Sequence, residues 1–267
     1  MQRKLRVAVF GDGMTDRYWL GTADRLSPEF PGPVVRINDV MLSPGGAGNV
    51  AANLETLGCE VVQAFNIGPV KNRLMVGDHQ IARWDQKDSV APYCYDIPYV
   101  PDAIVVADYG KGGVDKGTLE YVKKFACPIF VDTKRDPSCW SGVATAIFPN
   151  EKERREFHQQ YHNFKGIVVS KCGDKGLCYQ DYPGHWSDIS PAQARFVRSV
   201  NGAGDTVMAA FVYRYLVEKY NIESPYFWQE CLDFANAAAA IAVEHPYTYA
   251  PTLVEVEERY YRGTESN

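Results

Sequence analysis

Asn201-Gly202-Ala203-Gly204-Asp205-Thr206 stands directly before the apolar run Val207-Met208-Ala209-Ala210-Phe211-Val212. Small residues at the mouth of a helix leave backbone N–H groups pointing outward, and the helix dipole adds partial positive charge there, so the spot suits an anion such as phosphate. A carboxylate in that same first turn repels a bound phosphate, yet beside one it can take the proton of an attacking hydroxyl. A cradle of Gly202, Ala203 and Gly204 with Asp205 as base therefore points to phosphoryl transfer. An ordinary helix start, in which Asp205 only favours the N-terminal dipole, would use the same residues.

Other candidates lie upstream. Asn150-Glu151-Lys152-Glu153 offers one amide and one carboxylate, a set that serves a hard cation retaining its waters. The same spacing is also a capping box, with Asn at the N-cap and Glu three residues on. Asp12 and Asp16 can accept hydrogen bonds from hydroxyls, Gly45 and Gly46 let a backbone approach closely, and Asn49 is both donor and acceptor. Against this, Gly45-Gly46 is equally a tight turn before a helix, and Asp16 could pair with Arg17 or Arg25 on the surface. Lys111 and Lys134 are candidate phosphate charges. His158 and His162 have the i, i+4 spacing of metal ligands, but no third ligand is signalled nearby. The common nucleotide motifs are excluded. Asp16 and Val207 occupy the third-glycine positions after Gly11-Asp12-Gly13 and Gly202-Ala203-Gly204, and no G-x-x-x-x-G-K-[ST] occurs.

The elements that must hold these residues alternate along the chain. Leu5–Gly11, Val61–Ile67, Ala103–Ala107, Ile129–Asp132, Ala144–Phe148 and Ile167–Ser170 read as strands. Gly48–Leu57, Leu119–Phe125, Ala203–Tyr220 and Tyr226–Val243 read as helices. The expected fold is α/β, a central mostly parallel sheet flanked by helices. Two stretches break the alternation, about residues 16–42, with three prolines, and 72–86. They suit paired, partly exposed strands, and we expect a small, shortened β lid above the carboxyl edge of the sheet, where open α/β folds bind ligands. The tail around Glu255–Arg259 reads as a charged, solvated helix, with Tyr247, Tyr249, Tyr260 and Tyr261 helping to cover it.

With 267 residues, 46% hydrophobic and 23% charged, the chain can build one sizeable core. A net charge of −5 gives no broad basic field and argues against a nucleic-acid partner. Seven cysteines without a C-x-x-C pair fit a reducing, cytoplasmic setting better than a disulfide framework or a zinc site. The start Met1-Gln2-Arg3-Lys4 is basic, but Val7–Phe10 is too short an apolar run for a signal peptide or membrane span.

Taken in order, several motifs resemble the ribokinase-like (PfkB-type) sugar kinases, and among them the kinase half of bacterial heptose-7-phosphate kinase/ADP-heptose synthase. These are Gly11-Asp12-Gly13-Met14-Thr15-Asp16-Arg17-Tyr18-Trp19, Leu26-Ser27-Pro28-Glu29, Pro33-Val34-Val35 and Pro44-Gly45-Gly46-Ala47-Gly48-Asn49-Val50-Ala51, then Asp108-Tyr109-Gly110-Lys111-Gly112 and Ala235-Asn236-Ala237-Ala238-Ala239. The resemblance implies one kinase domain over residues 1–267, with Asp205 as catalytic base and the amides of Gly202 to Asp205 as anion hole. Asp12, Asp16, Gly45, Gly46, Asn49 and Lys111 would meet the sugar. Lys171, Gly173, Gly176 and Asn236 would meet ATP, and Asn150 and Glu153 would position Mg²⁺.

The chain also departs from that family. A sizeable piece is missing between Gly68 and Lys71, which alters the lid and any homodimer formed through it. Ser199-Val200-Asn201 replaces the usual D-x-T before the glycines, so hydrogen bonding there must differ. No H-x-G-H occurs, so the expectation is a stand-alone kinase. It would use ATP to phosphorylate a sugar or sugar phosphate, with D-glycero-D-manno-heptose 7-phosphate as the leading acceptor. The rival expectations are an inactive sugar- or nucleotide-binding regulator with the same fold and, behind it, an isomerase or transferase that uses the phosphate cradle without ATP.

Overall fold

The computed structural model describes residues 3–94 and 96–264; Met1 and Gln2 of the basic start lie outside the described residues. The chain opens with β1 (Arg6–Gly11), then β2 (Gly13–Leu26), β3 (Pro33–Gly46), α1 (Ala47–Thr56), β4 (Glu60–Ala64), β5 (Ile67–Val76) and β6 (His79–Gln86). Strand β7 (Ala103–Asp108), α2 (Lys116–Val122), β8 (Ile129–Thr133), β9 (Ala146–Ile147), α3 (Glu151–Glu156) and α4 (His158–His162) follow. The last part holds β10 (Ile167–Lys171), β11 (Leu177–Tyr182), β12 (His185–Ile189), α5 (Ala203–Glu218), α6 (Phe227–Glu244) and α7 (Leu253–Thr264).

Eight strands form the main sheet in the order β12-β11-β10-β9-β8-β7-β1-β4. It is parallel from β4 to β10, and the antiparallel hairpins through β11 and β12 complete one edge. Such a sheet must be covered on both faces, and alternation in β1 assigns the two cores. Val7 and Val9 point to the core made with α1, α5, α6 and Val256 of α7. Ala8 and Phe10 point to the opposite core, with Val122, Trp140, Tyr161 and Phe164. On the first face Phe211 of α5 meets Phe130 and Phe148 edge-on and stacks with Trp228, fixing the helix against the strands.

A second sheet of four strands has the order β3-β2-β5-β6, with β2 parallel to β5 and the outer pairs antiparallel. Its strands are longer than the sequence suggests. The two long ones run from Gly13 and back to Gly46, because Gly13 N–H bonds the Asn66 carbonyl at 3.1 Å and carries β1 straight into β2. Any side chain there would have its Cβ 2.5 Å from that carbonyl oxygen. Pro28 and Pro31 fall in the turn and Pro33 opens β3, places where a missing N–H costs little.

Three boundaries differ from expectation. The strand after α1 ends at Ala64, and Ile67 instead starts β5 of the second sheet. Helix α2 begins at Lys116, not Leu119, because Asp115 and Thr118 form a capping box at its start. Strand β9 keeps only Ala146 and Ile147, since Ala144 is bound back to the Trp140 carbonyl in a turn. No helix of the described residues is long and apolar enough to cross a membrane. Phe211→Ala should lower stability by about 3–5 kcal/mol, read as the shift in urea midpoint; a change under about 1 kcal/mol would remove Phe211 from the core account.

Candidate active site

The carboxyl edge of the parallel strands gathers the polar residues. Asp12 follows β1, Tyr109 follows β7, Asp132 and Lys134 lie at the end of β8, Asn150 follows β9 and Lys171 ends β10. The N-terminus of α5 faces them. Gly202 holds φ 78°, and a Cβ there would come 2.5 Å from Asn49 Nδ2, so both backbone conformation and space call for glycine. No side chain caps α5.

Asp205 is buried in the first turn of that helix. Asn49 Nδ2 donates to one of its oxygens at 2.9 Å, and the Tyr109 hydroxyl donates to the other. Burial pushes its carboxyl above the ordinary value, while the two donors pull it back towards the ionised form. Tyr109 stays protonated, because burial and the facing Asp205 and Asp132 raise its hydroxyl far above its usual range. A cavity of about 290 Å³ opens beside this group, lined by Tyr109, Asp132, Lys134, Asn150, Lys171 and the α5 start.

The floor of that cavity is a charge ladder. Burial alone would raise the Asp132 carboxyl, but Lys171 and Lys134 hold it below its ordinary value. Lys134 also lies 2.9 Å from Glu153. Asn150 and Glu153 form the full capping box: the Glu153 carboxylate accepts the Asn150 backbone N–H and side-chain amide, and Asn150 Oδ1 accepts the Glu153 N–H. Among the described residues no group of three or more His, Cys, Asp or Glu side chains could by itself hold a metal ion. His158 and His162 sit with Arg154, Arg155 and Trp186 around a separate cleft.

Three of the upstream residues have other partners than the sequence suggests. Asp12 is fully enclosed and accepts the backbone N–H groups of Tyr109, Lys111 and Gly113, pinning that loop to β1. Asp16 pairs with buried Arg73 of β5, not with Arg17 or Arg25. Gly45 leaves room for it, since a Cβ there would meet Asp16 Oδ2 at 2.5 Å, and Gly46, at φ 55°, closes over the Asp12 carbonyl. Lys111 directs its ammonium to Asp88, leaving only its backbone N–H on Asp12.

A larger cavity of about 570 Å³ adjoins the other side of the α5 start. Lys171, Gly173, Gly176 and Asn236 all line it, together with Leu177, Ala203, Val207 and Val243. Asn236 Nδ2 donates to the Ser190 carbonyl at 2.9 Å, which orients its amide. Sequence reasoning gave no role to Tyr109, Asp132, Lys71 or Arg73. The signals for the first two were present in the strand-end pairs Asp108-Tyr109 and Asp132-Thr133, each followed by lysine within three residues. Lys71, half-buried on β5, carries an ammonium 5.4 Å from the Tyr109 ring centre and has no ion pair among the described residues. Burial lowers its pKa, and the nearby Asp16 and Asp205 oppose that.

Residues 126–254 match the family described as pfkB family carbohydrate kinase. The bifunctional protein HldE of Coxiella burnetii (strain RSA 331 / Henzerling II) is 27% identical over 326 aligned positions that take in 100% of this chain and 66% of that protein. HldE of Shewanella baltica (strain OS185) is 32% identical, covering 96% of this chain and 63% of the relative. The chain thus spans slightly less than two thirds of these relatives. Among solved structures, Arabidopsis thaliana ribokinase complexed with ribose and ATP superposes with a TM-score of 0.67 at 18% identity, covering 97% of this chain and 99% of that one.

Carbon-13 NMR titration of the Asp205 carboxyl should give a pKa above 3.8. Tyr109→Phe removes a donor to the ionised form and should move it higher still. A variant titrating at or below the parent would show that the hydroxyl does not hold this carboxylate.

Proposed function

Because the chain carries a carbohydrate kinase domain of the pfkB family, we propose that it transfers the γ-phosphoryl group of ATP to a hydroxyl of a sugar phosphate, D-glycero-D-manno-heptose 7-phosphate being the leading acceptor. The observation that carries this reading is Asp205, a buried carboxylate on the first turn of an uncapped helix, between a cavity on the lysine side and one on the nucleotide side. In the proposed reaction Asp205 takes the proton of the attacking hydroxyl. The N–H groups of the α5 start face the charge that spreads over the transferring oxygens, and Lys171 and Lys134 add positive charge.

The 570 Å³ cavity is the proposed nucleotide site, with Gly173 and Gly176 permitting close backbone approach and Asn236 near the base. ATP is bound by the structural relative named above, which supports the choice of donor. Mg²⁺ would be held by Asn150 and Glu153, whose amide and carboxylate supply the hard oxygen donors it takes. Bound there, the ion would supply charge neutralisation on the phosphates.

The acceptor side favours an anion. Lys71 is a half-buried ammonium with no ion pair among the described residues, and it faces both Asp16 and Asp205. Asn49, Asp16, Gly45 and Gly46 are proposed to frame the sugar ring, and the four-stranded sheet to act as lid over it. Heptose is favoured over other sugar phosphates by the HldE relatives alone. Residues 1–267 are read as one kinase domain, in a reducing, cytoplasmic setting. A homodimer through the lid would cover its exposed Ile37, Val40, Met41, Ile81 and Trp84.

An ATP-to-ADP assay across heptose and hexose phosphates and their neutral sugars tests the reading. Turnover is expected with a sugar phosphate, and Asp205→Asn should lower kcat by about a hundredfold or more while still binding ATP. Lys71→Met should raise KM for the phosphorylated acceptor by about tenfold or more and leave KM for ATP unchanged. Undiminished turnover in Asp205→Asn sinks the base assignment, and an unmoved acceptor KM in Lys71→Met sinks the anion contact.

A further inference from the structure

Cys172 and Cys178 are two free thiols whose sulfurs lie 3.6 Å apart. Their closeness follows from the hairpin. Cys178 of β11 is in register with Ser170, and Cys172 continues the same face of β10 past Lys171, its N–H bonding the Gly176 carbonyl at 2.9 Å. Cys178 is buried and Cys172 half-exposed. A third group completes the arrangement: Arg154 Nη1 lies 2.8 Å from Cys178 Sγ. The turn between the two thiols is bounded by Gly173 and Gly176, both with positive φ, and these glycines with Asp174 and Leu177 line the 570 Å³ cavity. On the other side of Cys172, Lys171 reaches Asp132.

We propose that Cys172 and Cys178 form a site for reversible thiol–disulfide exchange with low-molecular-weight disulfides of the glutathione type, and that closing this bond alters the nucleotide cavity. The second half rests on the kinase reading above. Cys172, the accessible member, attacks as thiolate one sulfur of the small disulfide and expels one thiolate. Cys178 then gives up its proton, attacks the Cys172 sulfur and releases the second small thiol. Two protein S–H groups are oxidised to one S–S bond, the small disulfide is reduced to two thiols, and excess thiol reverses both steps.

The geometry sets which step is slow and why the bond would be felt. A disulfide needs its sulfurs about 2.05 Å apart, so they must close by roughly 1.5 Å. Burial pushes the Cys178 thiol up to about 12, which slows its attack, and the Arg154 guanidinium opposes that by favouring the thiolate. Drawing Cys172 inward moves its neighbours in the chain, Lys171 and Gly173, and both line the proposed phosphate and nucleotide cavities.

The test incubates the reduced full chain with graded ratios of oxidised to reduced glutathione, blocks remaining thiols and digests with trypsin. Cleavage after Lys171, Lys175 and Arg195 puts the cysteines on separate peptides, 172–175 and 176–195, so a joined mass that reductant dissolves is the expected result. Cys178→Ala should stop at glutathione on Cys172. Two blocked thiols, or a mixed disulfide alone in the parent chain, would overturn the site. The oxidised chain should bind a non-hydrolysable ATP analogue about fivefold or more weakly by calorimetry, with Cys172→Ala, which cannot begin the exchange, indifferent to the oxidant. Equal affinity in both redox states would overturn the coupling. The mass readout needs no nucleotide, so it decides the thiol site even if the kinase reading fails.

Discussion

A buried carboxylate must be satisfied without being neutralised, and the placement of Asp205 is the constraint on which the rest depends. An ion pair with lysine would satisfy it but would also make it a poor base. The fold supplies two neutral donors instead, Asn49 from α1 and Tyr109 from the end of β7. Those donors come from elements on either side of α5, so the carboxylate is right only when the sheet edge, α1 and α5 are all in place. That explains why Gly202 is both left-handed and pressed against Asn49: the helix start can approach α1 closely only without a side chain there.

Positive charge is kept one layer away. Lys171 and Lys134 bracket Asp132, and Lys134 continues to Glu153, so each cation is held by a carboxylate and aimed along the sheet edge. Burial tends to discharge such lysines. The paired carboxylates reverse this for Lys134, holding its pKa above the ordinary value. An incoming polyphosphate would find Lys134 already ionised and fixed, which is where preorganised electrostatics gains most. Asp12 serves the same end indirectly, since its three backbone N–H bonds fix the loop that carries Tyr109.

What the sequence disclosed and what it hid divide by range. The α5 start, the β1 run, helix α1 and the two long C-terminal helices were legible because glycine, caps and apolar periodicity act over a few residues. The fold class followed from their alternation. The loop-pinning role of Asp12 was hidden because its partners are backbone amides 97 to 101 residues away, which carry no side-chain signature. The partner of Asp16 was hidden by distance too: Arg17 and Arg25 are near in sequence, but parallel pairing of β2 with β5 brings Arg73, 57 residues on, against it. The capping-box and cation readings of Asn150 and Glu153 were both visible, and the side chains do form the box. A capping box fixes the carboxylate rigidly, so the two readings need not compete.

The second sheet is tied directly to the edge that carries the site. Its strand β2 is a direct continuation of β1 through Gly13, so it is anchored at the carboxyl edge. The Asp16–Arg73 pair is buried near that anchor, and breaking one member of such a pair is costly because the other is left uncompensated. The pair therefore locks the base of the four-stranded sheet. Lys71 stands next to this lock without an ion-pair partner among the described residues and touches the face of Tyr109. An anion taken by Lys71 would draw β5 towards the ring that holds Asp205. Binding of a charged acceptor and alignment of the base would then be one event, because lid strand, tyrosine and carboxylate form a single contact chain.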